Sequence, residues 1–207
     1  MAKAIVKKSR AELIGGVSKA KKYGGGVKFR DGRYKLVVKS CCVLDTRSGP
    51  YFLAKLVPYE AVKVTVMGIK AEKLLDVEPN PVGSTVDWMQ PMGLEDHPGE
   101  GNIADFICKL FCQPMPDEND TAGQAEVKDT MKQLCDLDEE MEDLPDDQKQ
   151  QPGRGMVIAM ETRRHETKTN KKELVLTDFE SIVQTPEEKA AMIGWLDELA
   201  VGEKKTA

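Results

Sequence analysis

The residues best placed to do chemistry are cations interleaved with aromatic rings. Phe29 lies between Lys28 and Arg30, and Tyr34 between Arg33 and Lys35. Tyr51 lies four residues before Lys55. Further along, Arg163, Arg164, Lys168, Lys171 and Lys172 crowd one short stretch. Cations meet phosphates and aromatic faces stack on bases, so this mixture is what a sequence-tolerant single-strand binder needs.

Other chemistries lack their residues. Gly24-Gly25-Gly26 precedes a strand pattern rather than a helix, so it is no phosphate cradle. The only histidines are His97 and His165, and no Ser or Cys sits in a nucleophile motif. Asp136 to Asp143 holds six acids but lacks the glycine and spaced ligands of a calcium loop. Cys108 and Cys112 are one helical turn apart, yet no second pair or nearby His completes a tetrahedral metal site. The five cysteines, odd in number and irregularly spaced, read as buried thiols rather than a disulfide framework. The expectation is a protein with no enzymatic activity, no cofactor and no metal.

Charge is strongly segregated. Residues 1–40 carry twelve Lys or Arg against Glu12 and Asp31, while residues 116–151 carry thirteen acids against three lysines. The net charge of −5 hides this dipole. No apolar run approaches a membrane span, and the basic N-terminus lacks the apolar block of a signal peptide. A cytoplasmic protein, host-cytoplasmic if of phage origin, with no membrane partner is expected.

The elements that must position these residues follow from periodicity. Residues 1–26 read as a flexible basic arm, with a short helix near Ser9 to Ile14 and a Gly24-Gly25-Gly26 joint. Residues 32–44 alternate, with Tyr34, Leu36, Val38, Cys42 and Leu44 on one face and Arg33, Lys35, Val37, Lys39 and Cys41 on the other. Asp45 to Pro50 is a turn containing Arg47, Tyr51 to Val57 a second strand, and Ala61 to Met67 a further β piece.

Pro79 to Pro81 stiffens a loop ahead of a strand from Val82 to Met89. Ile103, Phe106, Ile107, Leu110 and Phe111 then recur at helical spacing behind an expected Asn102 cap. Residues 117–151 read as an acidic, partly helical insertion. A solvated helix, a partner-binding segment and an occupant of the chain's own basic groove are its open roles. Gly155 to Arg164 and Leu174 to Phe179 form a final hairpin. Thr185-Pro186-Glu187-Glu188 opens the C-terminal helix of residues 184–207.

Four segments carry a family resemblance: Gly32-Arg33-Tyr34-Lys35-Leu36-Val37-Val38, Gly49-Pro50-Tyr51-Phe52-Leu53-Ala54-Lys55-Leu56, Pro79-Asn80-Pro81-Val82-Gly83-Ser84-Thr85-Val86-Asp87-Trp88 and Gly101-Asn102-Ile103-Ala104-Asp105-Phe106-Ile107. Over roughly residues 30–180 the chain resembles bacteriophage proteins that bind single-stranded DNA or accompany recombination. The better-known binders end in an acidic tail, whereas this chain ends Val201-Gly202-Glu203-Lys204-Lys205-Thr206-Ala207 and carries its acids internally.

The resemblance implies an OB-fold, no catalysis, and coating of single-stranded DNA during replication or recombination. It also implies self-association along the strand and contact with replication or recombination proteins. The expected architecture is mainly β (β+α). It is a five-stranded OB-fold-like Greek-key barrel at residues 27–183, with a helix between strands three and four, an acidic helical insertion and a C-terminal helix.

The expected nucleic-acid contacts are Arg33, Lys35, Lys39, Arg47, Lys55, Arg163, Arg164, Lys171 and Lys172, with Tyr51 as base platform. Alternation puts Tyr34 opposite Arg33 and Lys35, and Trp88 beside Val86, which favours the core for both. The rival expectation is a β-rich phage structural or assembly protein whose basic arm pairs with the acidic segment of the next subunit.

Overall fold

In a computed structural model the described residues are 29–46, 49–63, 65–67, 74–76, 78–93, 99–117, 119–135, 152–166 and 173–206. Residues 1–28, with the arm expected at 1–26 and its short helix, lie outside them, as do residues 136–151 of the acidic segment.

Five strands make the main sheet: β1 (Gly32–Thr46), β2 (Gly49–Val62), β5 (Val86–Pro91), β6 (Val157–Glu166) and β7 (Glu173–Ser181). Their order across the sheet is β5-β2-β1-β6-β7, and all neighbours are antiparallel. The short strands β3 (Thr65–Met67) and β4 (Leu74–Asp76) pair with each other in a separate ribbon. The sheet is mixed with helices as expected, but it is not closed into a barrel: β5 and β7 are its edges.

Helix α1 (Gly99–Leu110) stands between β5 and β6, the place expected for it. It begins four residues earlier than an Asn102 cap would allow. Asn102 is inside the helix and donates from Nδ2 to Gln90 Oε1 at 3.1 Å, tying α1 to β5. Gly99 backs onto the Pro91 carbonyl so closely that no Cβ fits there. Cys112, at a φ of 55°, turns the chain out of the helix ahead of Pro114.

The acidic segment is not purely an appendage. Its first half is α2 (Thr121–Leu134), capped by Asp120, whose Oδ1 accepts from the Gly123 amide at 2.9 Å. Val127, Met131 and Leu134 turn inward and join the main core. That core lies between the inner face of the sheet and the two helices. It contains Leu36, Val38, Phe52, Leu56, Trp88, Ile103, Phe106, Ile107 and Ile158 among others.

The C-terminal helix α3 (Pro186–Thr206) starts on the expected signal. The Thr185 amide donates to Glu188 Oε2 at 2.8 Å, and the Glu188 amide donates to Thr185 Oγ1 at 3.2 Å, a reciprocal capping box. The helix lies on the opposite, outer face of the sheet. There Leu196 meets Val37, Val57 and Val157 in a second, smaller core. Gly155, at a φ of +80°, passes beneath Ile193 where a side chain would collide.

Two irregularities break the alternation read from the sequence. In the β1–β2 ladder the register shifts between Lys35 and Leu36 and again between Val38 and Ser40. The second shift swaps the faces of the distal half of β1. Cys41 therefore points into the main core and Val43 packs against it, whereas Leu44 is exposed. This is the reverse of the simple alternation, which put Cys42 and Leu44 with Tyr34. The strand expected at 82–89 is also displaced. Val82 and Gly83 form a turn, and pairing with β2 starts at Val86.

Candidate nucleic-acid interface

The start of β1 is fixed by one phenol. Tyr34 is buried, and its hydroxyl donates to the Arg30 carbonyl at 2.8 Å and accepts from the Asn80 amide at 3.0 Å. The Arg30 amide donates to Asn80 Oδ1 at 2.8 Å, and Thr162 Oγ1 donates to the Arg30 carbonyl at 2.7 Å. β1, the proline loop and β6 are thereby tied together. Phe29 is buried against Tyr34 with ring centroids 5.4 Å apart, so both rings serve the core. Burial pushes the Tyr34 hydroxyl above its ordinary pKa; the Asn80 hydrogen bond opposes this shift.

The outer face of the sheet carries the expected cations in two groups, one on each side of α3. Arg33 and Lys35 form the first. Arg33 Nε lies 2.6 Å from Glu161 Oε2, and Lys35 Nζ lies 2.9 Å from Glu60 Oε2. A groove of about 500 Å³ between β1, β6 and β7 is lined by Arg33, Tyr34, Ala159, Met160, Glu161, Asp178 and Glu180. This half of the face is balanced or acidic rather than basic. Glu161 was readable as sharing a face with Val157 and Ala159. That β6 lies against β1, and so brings Glu161 to Arg33, needed the fold.

Lys39, Tyr51 and Lys55 form the second group. Tyr51 is half-buried and Lys55 exposed, on the same face of β2 with Leu53 between them. Lys39, at the bulge in β1, donates from Nζ to Thr85 Oγ1 at 3.3 Å, just before β5. Lys55 is opposite Asp87 in the β2–β5 ladder, and Tyr51 is opposite Pro91. Burial raises the Cys42 thiol pKa, with Lys55 lowering it and Asp87 raising it.

Arg163 and Arg164 lie on β6, opposite Leu176 and Val175 of β7. Their side chains, and all of Arg47, Lys168, Lys171 and Lys172, lie outside the described residues. Arg47 falls between the paired ends of β1 and β2, and the lysines between those of β6 and β7. The paired ends Thr46–Gly49 and Glu166–Glu173 lie toward opposite ends of β1, because β6 runs antiparallel to it.

The aromatic rings divide by role. Phe52 and Trp88 are fully buried and meet edge to face at 5.9 Å. Tyr51 is half-buried on the outer face, on the same strip as Lys55. Cys41 and Cys108 are buried, and desolvation pushes both thiols upward, Cys108 to about 11. Neither is an available thiolate nucleophile near neutral pH. Among the described residues, no group of three or more His, Cys, Asp or Glu side chains is placed to hold a metal. No described helix is long and apolar enough to cross a membrane.

Comparison with protein-family models, with curated proteins and with solved structures found no match.

Proposed function

We propose that this protein binds single-stranded DNA through the outer face of its β2–β5 pair, with little base preference. Its role would be to coat and protect strands during phage replication or recombination. The observation that carries the reading is the placement of Tyr51, Lys55 and Lys39 on one strip of outer surface. A ring and two cations along one strip supply both elements of single-strand binding, a face for a base and charges for the phosphates.

The topology supports the same reading. With β5, β6 and β7 as third, fourth and fifth strands, the order is 3-2-1-4-5. That is the cyclic order of an OB-fold opened between strands three and five. A partly open five-stranded barrel, with its ligand on strands two and three, is how OB-folds bind oligonucleotides. Helix α1 follows the third strand and precedes the fourth, the order expected of an OB-fold, and this supports the reading.

Subunit pairing of the basic arm with the acidic segment draws no comparable support. The arm and residues 136–151 lie outside the described residues, and α2, the described part of the acidic segment, turns one face into its own core.

The test is fluorescence anisotropy of labelled oligo-dT across a salt series. Binding at low salt is expected, with log affinity falling by about 0.7 per phosphate contact for each decade of salt. Tyr51→Ala should cost about 1–3 kcal/mol of binding energy. Lys55→Ala should flatten the salt slope by about 0.7. A folded protein that fails to bind at about 50 mM salt, where counterion release favours binding most, sinks the proposal.

A further inference from the structure

The outer face holds another ring, Tyr59, in an unusual position. Lys35 pairs with Glu60 and Leu36 with Pro58, so Tyr59 is the extra residue of a bulge. Its side chain is 39% exposed, and its ring meets Trp195 of α3 edge to face at 5.4 Å. Lys35 stands next to it in the ladder through Glu60, in a solvent-exposed ion pair. A ring and a cation on one face are the same pair of elements that Tyr51 and Lys55 supply, here with an indole against the ring.

The helix supplying that indole is thinly seated. Ten of the twelve residues of α1 are buried. Leu196 alone is buried among the described side chains of α3, on a floor of Val37, Val57 and Val157. Of the polar ties of α3, Arg154 Nη2 lies 2.5 Å from Asp197 Oδ1 in an exposed pair, and Lys189 Nζ donates to the Pro152 carbonyl at 2.6 Å in a partly buried one. Gly194 and Gly202 further weaken the helix itself. A segment with a single buried side chain and few polar ties opens at lower free energy than the core.

We propose that Tyr59 is a second nucleobase-stacking platform covered by Trp195, and that α3 is a strap that lifts as a unit to open it. The inference rests on the single-strand-binding reading and adds regulation to it. When α3 lifts, a base replaces the indole on Tyr59, and Lys35 exchanges Glu60 for a phosphate. The valine floor lies between the two cation groups, so lifting also joins Lys35 to Lys39 and Lys55 along one face. The apparent affinity is then the open-state affinity reduced by the fraction of molecules with α3 lifted.

The test uses the full chain and two readouts. Hydrogen exchange without DNA should show α3 amides exchanging together and ahead of those in α1 and β1. Leu196→Ala and Trp195→Ala loosen the strap, the second without emptying a buried site. Gly194→Ala tightens it, since a Cβ there meets nothing within 4 Å and the helix gains stability. Oligo-dT binding should tighten by about tenfold in the loosened variants and weaken by about threefold in the tightened one, as the lifted fraction changes. Tyr59→Ala should abolish the gain in the Trp195→Ala background.

Exchange of α3 only together with the sheet overturns the strap, whatever the DNA result. Equal affinity across the loosened and tightened variants overturns the coupling. Independent exchange of α3 with no oligo-dT binding in any variant shows that the function reading itself has failed, and removes the platform with it.

Discussion

The indole of Trp88 on β5 and the ring of Phe179 on β7 meet edge to face, 5.2 Å apart, although their strands are the two edges of the sheet. The sheet therefore curls until side chains from its far edges touch. Phe106 of α1 completes the contact, 5.0 Å from Trp88 and 5.3 Å from Phe179. The seam that backbone pairing would close in a barrel is filled here by three rings. Each aromatic pair adds about 0.5–1.5 kcal/mol beyond the area it buries.

Phe106→Ala should be among the most destabilising single changes, at about 3–5 kcal/mol. It removes a fully buried ring that touches both edges and Phe52 as well. Phe106→Leu keeps most of the volume and should cost less. Urea unfolding is the measurement, and the expected result is a lower midpoint with the slope preserved. A small effect of Phe106→Ala would mean that the curl is held by something other than this trio.

The acids beside Arg33 and Lys35 should restrain binding more than they stabilise the fold. Both cations are exposed, so each ion pair contributes under about 1 kcal/mol to stability. Glu60→Gln and Glu161→Gln release the cations to phosphate. Each should leave the melting temperature nearly unchanged and steepen the salt dependence of oligo-dT binding by about 0.7. An unchanged salt slope in both variants would show that DNA does not reach this half of the face.

Much of the scaffold was legible because it rests on local rules. The Thr185 to Glu188 signal fixed the start of α3, and the spacing of Ile103 to Leu110 placed α1. The order of strand, strand, strand, helix, strand, strand was also readable. What failed was non-local. A period of two cannot anticipate the ladder shift after Val38, so Cys41 and Leu44 exchanged faces. The pairing of Arg33 with Glu161 spans 128 positions, and only the β1–β6 ladder brings the two together. Sheet closure was illegible for the same reason. No local pattern states whether β5 and β7 pair through backbone or meet through rings.

Tyr34→Phe tests the tie between β1, the proline loop and β6. The hydroxyl donates to the Arg30 carbonyl and accepts from the Asn80 amide, so its removal leaves partly buried polar groups without it. The expected cost is about 1–3 kcal/mol, with the ring still packed on Phe29. Hydrogen exchange should show the Asn80 amide losing protection first. A variant as stable as the parent, with the Asn80 amide still protected, would show that water replaces the phenol at no cost.

Stability should fall on the alkaline side, and buried thiols give the reason. Desolvation pushes Cys41 and Cys42 above the ordinary thiol value of 9.0, and Cys108 from 9.0 to about 11. Tyr34 is pushed above 10.0 by the same cause. Each group is harder to ionise folded than unfolded. Below the unfolded values both states hold their protons, and this contribution to stability is fully present. As pH rises past 9, the unfolded chain releases protons that the folded chain keeps, so the free energy of unfolding falls. For Cys108 the loss is complete once pH passes about 11. The magnitude for this thiol is about 3 kcal/mol, the linkage value of a shift of that size. Urea midpoints measured at pH 8 and pH 10.5 should drop in the parent, and drop less in Cys108→Ala, whose own cavity cost is the same at both pH values. Equal drops in parent and variant would show that the Cys108 thiol ionises as easily folded as unfolded, and that the helix α1 side of the core admits water.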